Sequence, residues 1–306
     1  MSPFHGIILK ILSVITFVSM AACIKAASAE VPAGEAVFFR SFFALPVILI
    51  WLIVRGELSV GLTVANPMAH VWRGFVGTLA MGLAFAALGL LPLPEATAIG
   101  YTAPLLVVVF AAMFLNEKVG VYRLSAVALG MLGVMIVLSP RMSLLSGEIA
   151  DRQAIGALLA LMGACFAALA QVFVRNLVRT ERTSAIVFWF SITSTVLSLL
   201  TIPYGWVMPS AGAAALLVSA GILGGFGQIF LTSAYRFADA SLIAPFEYVS
   251  MLFALILGYV VFAEVPTGRM LGGALIVISA GVLIIWRERQ LGLQRGKAKS
   301  GMTPQG

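Results

Sequence analysis

Two charged side chains lie well inside apolar, helix-length segments of this chain, where charge is costly. Arg40 is about six residues into one segment, roughly 9 Å from its end, and Glu247 is about seven residues into another. An ionisable group at this depth needs a partner or a wet cavity, so both are candidates for binding a substrate, and Glu247 also for carrying a proton. The alternatives are a protonated or hydrogen-bonded structural carboxyl at Glu247, and at Arg40 a guanidinium that pairs with a helix-end group or snorkels outward.

Uncharged polar side chains also occur deep in apolar segments. Gln171 lies in one of them, and Gln228 in another is followed at four and seven residues by Thr232 and Tyr235. This spacing places three polar groups on one face of a helix. Such a face can bind a substrate or form hydrogen bonds to a neighbouring helix. We predict that both glutamines line a cavity and contact the substrate.

Proline near the start of two apolar segments predicts broken helices. Pro104 and Pro245 each lack a backbone donor, and their rings kink a helix. Broken backbone is tolerated at membrane depth where it is buried in protein or lines a cavity. These two segments are therefore predicted cavity walls, with a plain packing kink as the alternative.

Two glycine pairs have the spacing that allows helices to approach closely. They are Gly221-x-x-x-Gly225 and Gly268-x-x-x-Gly272. The signal is weak, because a chain with 30 glycines produces such spacings by chance.

The motifs of several other kinds of chemistry are missing from the sequence. Its two histidines, His5 and His70, lie near segment ends, and its two cysteines, Cys23 and Cys165, lie inside apolar runs. A histidine-based metal site or a disulfide is therefore not expected. The sequence contains no Gly-Lys-Ser/Thr phosphate loop, no His-Glu-x-x-His and no Gly-x-Ser-x-Gly motif. We expect no catalytic residue, metal, cofactor or enzyme activity.

The composition excludes a water-soluble protein. Hydrophobic residues make up 61% of the 306 positions and charged residues 10%, with a mean hydropathy of +1.07, whereas soluble domains carry roughly 25% charged residues. Continuous apolar runs of about 20 residues predict helices rather than the ~10-residue alternating strands of a barrel. Ten spans are predicted, near 6–26, 34–54, 71–91, 95–115, 121–139, 153–176, 184–203, 211–235, 240–262 and 268–286.

Basic residues predict the orientation of these spans. With a cytoplasmic N-terminus, the inner loops and the C-terminal tail hold thirteen lysines and arginines and the outer loops hold four, so both termini are expected in the cytoplasm. The net charge of +7 is explained by this bias, and no nucleic-acid partner is expected. The stretch Ala27-Ser28-Ala29 resembles a signal-peptidase site, but the run before it is about 19 residues long, so we expect it to be retained as the first span.

The sequence repeats itself in two halves, with equivalent residues at a nearly constant offset. The pairs are Tyr101 and Tyr248, Glu117 and Glu264 (248 − 101 = 264 − 117 = 147), and Gly6 and Gly156, Lys25 and Arg175 (offset 150). Five spans per half is an odd number, so the second half enters the membrane in the opposite sense, as an inverted repeat suited to alternating access. We predict two five-helix domains, 5–140 and 152–287, and a basic, disordered cytoplasmic tail, 288–306. The equivalent tyrosines are predicted to line the cavity, whereas Glu247 stands where the first half has Gly100.

Several motifs resemble the two-EamA-domain members of the drug/metabolite transporter superfamily. They are Phe38-Phe39-Arg40-Ser41, Ala96-x-Ala98-x-Gly100-Tyr101-Thr102-Ala103-Pro104, Asn116-Glu117-Lys118, Ala244-Pro245-Phe246-Glu247-Tyr248 and Phe262-Ala263-Glu264. The resemblance implies an all-α secondary transporter of the bacterial inner membrane, with a cavity lined by spans one, three, four, six, eight and nine. Those spans carry Tyr101, Gln171, Gln228, Glu247 and Tyr248, the predicted substrate-binding set. Arg40 is on span two, which favours a structural charge.

The amino-acid sequences of spans two, four and nine are similar to those of importers of riboflavin or S-adenosylmethionine in this superfamily. Riboflavin is the first substrate that we predict, because tyrosine rings and glutamine amides suit a flat, neutral molecule. S-adenosylmethionine, which would favour an ionised Glu247, and an amino acid or amine are the alternatives. A membrane-embedded enzyme and an assembly subunit are alternatives of another class. The expected partners are the metabolite and the lipid bilayer, and a homodimer is left open.

Overall fold

The computed structural model describes residues 3–115, 121–142, 148–178, 180–237 and 244–300, and this part of the chain is helical throughout, without strands. Two short 3-10 helices, Ile202–Tyr204 and Ala244–Tyr248, occur beside the α-helices. The α-helices are α1 Pro3–Ala27, α2 Ala33–Phe42, α3 Ala44–Val54, α4 Leu58–Gly61, α5 Pro67–Leu88, α6 Leu93–Gly100, α7 Thr102–Leu115, α8 Val121–Met142, α9 Glu148–Leu177, α10 Thr183–Leu199, α11 Ala211–Phe237, α12 Val249–Phe262 and α13 Gly268–Ser300.

These helices account for the ten predicted spans. Spans two and four are each divided, into α2 and α3 and into α6 and α7, and span nine combines the 3-10 helix Ala244–Tyr248 with α12. Five helical stretches are long and apolar enough to cross a membrane, and four shorter ones are 10–17 residues long. The prediction of an all-α, multi-span membrane protein is confirmed.

The prediction of a disordered tail was wrong for its first part. Helix α13 continues from the last span to Ser300. Arg, Glu, Gln, Lys and Ala are good helix formers, and extending an existing helix avoids the cost of nucleation. Residues 301–306 lie outside the described part of the chain.

The divided spans can be explained by proline. Pro46 follows the break at Phe43 by three residues, and Pro104 follows the break at Tyr101 by the same distance. A proline has no N–H for the carbonyl four residues earlier, and its ring clashes with that carbonyl. Helix α10, in span seven, contains no proline and is unbroken.

Packing between the halves follows a pseudo-two-fold arrangement. Helix α1 packs along α11, and its equivalent α9 packs along α5, the equivalent of α11. Helices that are equivalent to one another meet directly, as α8 does with α13 and α2 with α10. The two halves therefore use the same surfaces on each other, as two copies of one repeat must.

Helices α8 and α13 approach each other closely at two glycines. A methyl group placed on Gly133 would lie 2.8 Å from the carbonyl oxygen of Gly273, and one placed on Gly273 would lie 2.7 Å from that of Gly133. Gly268 and Gly272, the pair with helix-packing spacing, have no neighbour within 4 Å of such a methyl group. The glycine of α13 that allows the close approach to α8 is therefore Gly273, one residue after Gly272.

The other glycine pair does face a neighbouring helix. A methyl group on Gly221 would lie 2.9 Å from the carbonyl oxygen of Phe39, and one on Gly225 would lie 3.2 Å from the Cα of Ala44. Helix α11 thus packs closely on α2 and α3 through these two positions.

We expect Gly133→Ala to destabilise the protein, because the added methyl group must push α8 away from α13. The cost of overpacking is roughly 1–3 kcal/mol, from which about 1 kcal/mol of alanine's helix preference is subtracted. Gly272→Ala is the matched control, since it gains the same preference in open space. Thermal unfolding in detergent measures both, and a Tm for Gly133→Ala at or above that of Gly272→Ala would contradict this close packing.

Candidate functional site

Glu247 forms an ion pair with Lys10. The lysine lies on α1, in the first half, and the carboxylate lies on the 3-10 helix before α12, in the second half. The lysine side chain is 3% exposed, whereas the glutamate side chain is 42% exposed. The pair therefore joins the two halves, with the cation enclosed and the carboxylate open to its surroundings.

Sequence reasoning missed Lys10. Lys10 lies inside the 25-residue helix α1, but it is not among the deep charges predicted from the sequence. The depth criterion that identified Arg40 and Glu247 applies equally to a lysine seven residues into a membrane-spanning helix, about 10 Å from its start. That signal was sufficient to find it.

The ion pair breaks the symmetry of the repeat. The equivalent of Lys10 at the offset of 150 is Ala160, and the equivalent of Glu247 at the offset of 147 is Gly100. The pseudo-two-fold axis thus relates a charged contact between α1 and span nine to an uncharged one between α9 and span four. Only one of the two related sites can bind an ion pair or a charged group in this way.

A hydrogen-bonded cluster of hydroxyls fixes the backbone at Glu247. The Ser250 hydroxyl donates to the carbonyl of Glu247 at 2.6 Å, and it lies 2.7 Å from the Tyr101 hydroxyl. Since serine has one proton to donate, the tyrosine donates to the serine. The rings of Tyr101 and Tyr248 meet edge to face at 5.2 Å between centroids. The equivalent tyrosines therefore contact each other beside the carboxylate.

Tyr101 is buried and Tyr248 is half-buried. The hydroxyl of Tyr248 packs directly onto Gly281 of α13, so closely that a methyl group there would overlap it. Because Gly281 has no side chain, the Tyr248 ring packs against the backbone of α13, and this contact sets the position of the ring.

The two glutamines differ in exposure. Gln228 and Thr232 are buried on α11, whereas Gln171 is exposed on α9. Among the described residues, neither glutamine is hydrogen-bonded to the ion pair or the tyrosines. The side chain of Tyr235 lies outside the described part of the chain. The substrate-binding role of Gln171 and Gln228 stays a prediction.

The two prolines flank the cluster. Pro104 lies in α7, one turn after the break at Tyr101, and Pro245 lies in the 3-10 helix that carries Glu247. Tyr101, Glu247 and Tyr248 are thus all held on interrupted backbone, where helix ends rather than continuous helices set their direction. Their role in binding a substrate stays a prediction.

A second ion pair closes one end of the same helices. Lys25, near the end of α1, is 3.0 Å from Glu264 and donates to the carbonyl of Leu91 at 2.6 Å. Glu264 also accepts from the backbone N–H of Leu93, at the start of α6, at 2.9 Å. The Lys25–Glu264 pair therefore draws together α1, α6 and the segment after α12.

Arg40 belongs to neither ion pair. It is 3% exposed, and its Nη2 donates to the carbonyl of Gly224 on α11 at 3.5 Å. This contact with a backbone carbonyl is one of the structural roles expected for it, and that role stays a prediction.

The burial of the Lys10–Glu247 pair predicts unequal effects of removing either partner. Glu247→Gln takes the carboxylate of this ion pair away from an enclosed lysine, which costs about 3 kcal/mol. Lys10→Met leaves a carboxylate that is already open to its surroundings, which costs about 1 kcal/mol or less. Thermal unfolding in detergent should therefore give the order wild type, Lys10→Met, Glu247→Gln.

The double variant Lys10→Met/Glu247→Gln should be more stable than Glu247→Gln alone, because it removes the enclosed charge together with the carboxylate. Arg55→Met and Glu57→Gln are matched controls, since that exposed pair is separated by 3.4 Å at the membrane surface. Equal losses for the two partners of the Lys10–Glu247 pair would contradict the unequal burial.

Comparison with known proteins identifies relatives along the whole chain. The model of the EamA-like transporter family matches residues 4–139 and 154–286. The chain is 32% identical to the pseudopaline exporter of Pseudomonas aeruginosa, covering 91% of this chain and 95% of that protein. It is 28% identical to the S-adenosylmethionine uptake transporter of Rickettsia felis, covering 84% of each. It is 29% identical to the riboflavin transporter of Rhizobium johnstonii, covering 84% of this chain and 82% of that protein.

Proposed function

Because the chain belongs to the EamA-like transporter family, we propose that it is a secondary transporter that carries a small organic metabolite across the bacterial inner membrane by alternating access. The observation that carries the proposal is the Lys10–Glu247 pair. It joins the two halves within the membrane and lies beside backbone that is interrupted in both of them. Charged groups at this depth are expensive, and transporters place their substrate sites at such positions.

The two ion pairs supply the elements of alternating access. Lys25 and Glu264 close one end of the helices that carry Lys10 and Glu247. With the predicted cytoplasmic N-terminus, that closed end faces the periplasm, and the site would communicate with the cytoplasm. Opening to the periplasm requires this pair to separate.

The chemistry of the Lys10–Glu247 pair favours a substrate with both a positive and a negative group. Such a metabolite exchanges one ion pair for two, with its ammonium on Glu247 and its carboxylate on Lys10, so neither charge is left unpaired. The amino-acid portion of S-adenosylmethionine has this pattern, and a relative is named for uptake of that metabolite. We therefore place S-adenosylmethionine or a similar amino-acid-derived metabolite first.

Riboflavin, the first substrate predicted from the sequence, is the second candidate. The edge-to-face rings of Tyr101 and Tyr248 offer aromatic surface to a flat molecule, and a relative is named as a riboflavin transporter. A neutral ring system does not require the ion pair to open. Its transport should therefore respond to the tyrosines and not to Glu247.

Uptake into proteoliposomes distinguishes these substrates. We expect labelled S-adenosylmethionine to be transported and Glu247→Gln to slow its transport at least tenfold, since ~1.4 kcal/mol of lost pairing is a factor of ten. Glu57→Gln, at the membrane surface, is the matched control and should transport at the wild-type rate. Riboflavin uptake that Glu247→Gln leaves unchanged would support the second candidate, and transport of neither compound would remove both.

Proton coupling through Glu247 is a separate prediction. If this carboxyl carries the proton, Glu247→Gln should abolish the dependence of uptake on a pH gradient, because the amide cannot titrate. Uptake rates are compared with and without the gradient in the same vesicles. A variant with the wild-type rate and the wild-type pH dependence would exclude Glu247 as the coupling group.

The closed end can be tested with a native cysteine. Cys23 lies two residues before Lys25 on α1 and is partly buried. Lys25→Met should raise the rate at which a membrane-impermeant maleimide labels Cys23 from the periplasm by about fivefold or more, since losing ~1 kcal/mol of pairing shifts the population by that factor. The reaction is measured in a Cys165→Ser background. An unchanged rate would show that this pair does not hold the periplasmic end closed.

A further inference from the structure

Two arginines from different helices share one aromatic ring. The guanidinium carbon of Arg73, on α5, lies 3.6 Å from the ring centroid of Phe190, on α10, and that of Arg40, on α2, lies 5.4 Å from the same centroid. The two guanidinium carbons are therefore at most 9.0 Å apart, the sum of 5.4 and 3.6 Å. Arg40 is 3% exposed and Arg73 is 6% exposed. The structure thus encloses two positive charges around one aromatic ring.

Most of their donors have no acceptor. The Nε and Nη1 atoms of both arginines are buried without a hydrogen-bond partner, and the Nη2 of Arg40 has a long contact of 3.5 Å with the Gly224 carbonyl. No ion pair of the described residues includes Arg40 or Arg73. Arginine keeps its proton in proteins, so neither head group can become neutral to avoid the cost.

A neighbouring carboxylate is committed elsewhere. His70 lies near the start of α5, one turn before Arg73. Glu181 lies 3.7 Å from the Nε2 of this histidine. Its Oε1 accepts from the backbone N–H groups of Ala65 and Asn66, both at 2.9 Å. The face of Phe190 attracts a cation, but this attraction offsets only part of the cost of removing two guanidinium ions from water. A negative charge is needed between the helices.

The walls around the two head groups are built from glycine. A methyl group on Gly224 would lie 2.8 Å from the Nε of Arg40, and one on Gly77 would meet the Nη1 of Arg73 and lie 2.8 Å from the ring of Phe190. The offset of the repeat makes Arg40 and Phe190 equivalent residues, since 190 − 40 = 150. The arginine pair thus lies where helices α2 and α10 meet across the pseudo-two-fold axis, and the space is small.

We propose that Arg40 and Arg73 bind one small monovalent anion, a carboxylate or a halide, between α2, α5 and α10. Four buried nitrogen atoms without a hydrogen-bond partner, on two guanidinium groups that share one aromatic ring, are donors of the kind that hold a carboxylate or chloride. Because Phe190, Gly77 and Gly224 lie so close to the head groups, we expect a small anion rather than a phosphate ester. The anion is either an ion from solution or the carboxylate of the transported metabolite, which would then pair with the arginines in place of Lys10.

Thermal unfolding of the purified full-length protein tests for solution anions. At equal ionic strength, sodium chloride or sodium acetate should raise the Tm above its value in sodium gluconate, whose anion is too large, by at least ~2 °C. Arg73→Met should remove this difference. Equal Tm values for the wild type in all three salts would exclude a solution anion and leave only the substrate's carboxylate.

The sign of the substitution's own effect tests for any bound anion. If the charges are compensated, Arg73→Met lowers the Tm in the salt or substrate that supplies the anion. If they are uncompensated, removing one relieves repulsion and raises the Tm in every condition, which would overturn the proposal. Arg40→Met is the second variant should Arg73→Met not fold. Arg55→Met is the matched control, because that exposed arginine also stacks on an aromatic ring, 5.3 Å from Trp51. Its anion site is intact, so its Tm should keep the wild-type dependence on the anion.

A substrate carboxylate is tested in gluconate with S-adenosylmethionine and its decarboxylated form. This arm alone rests on the substrate proposed above. A Tm increase from S-adenosylmethionine only, lost in Arg73→Met, assigns the anion to the substrate. If neither compound shifts the Tm and chloride and acetate also have no effect, the anion site is excluded, whereas transport by the wild type would still stand.

Discussion

Hydrocarbon offers no water to a backbone carbonyl or a charged side chain, and the rest of the structure depends on meeting that constraint. Backbone groups are satisfied inside helices, and the interruptions at Tyr101 and at Ala244–Tyr248 lie where span four meets span nine. Charges are satisfied by reaching across helices, as Lys10 does to Glu247 and Lys25 does to Glu264. Both pairs join one half of the repeat to the other, so the same requirement that stabilises the fold also couples its halves.

The helical spans were predictable because their cause is local. A run of about 20 apolar residues has few alternatives to a membrane helix, and a proline disrupts the hydrogen bond to a carbonyl four residues earlier wherever it occurs in a helix. The tail after Arg287 shows the limit of this reasoning. Its composition favours disorder when it is considered alone, but it follows directly on a formed helix, and α13 extends into it.

The site was only partly predictable because its contacts are not local. Glu247 could be identified from its depth, but its partner is 237 residues away in the sequence, and a single sequence contains no signal that joins them. The same applies to Arg40 and Arg73, which meet only through Phe190. The face of a helix that contacts its neighbour was also not predictable. The spacing of Gly268 and Gly272 suggested contact, yet the face of α13 that meets α8 contains Gly273. A difference between equivalent positions of the repeat was informative about the site, since Glu247 stands where the first half has Gly100.

The glycine contact between α8 and α13 has a mechanical consequence. These helices are equivalent to each other and meet at the pseudo-two-fold axis, with backbone against backbone at Gly133 and Gly273. Without long side chains to bend, two helices in such contact cannot slide past each other by small steps, whereas a rotation about the contact keeps the glycines together. The seam is therefore suited to be the pivot of the molecule, and displacement should increase with distance from it, toward α2, α3 and α10 at the opposite side of the bundle.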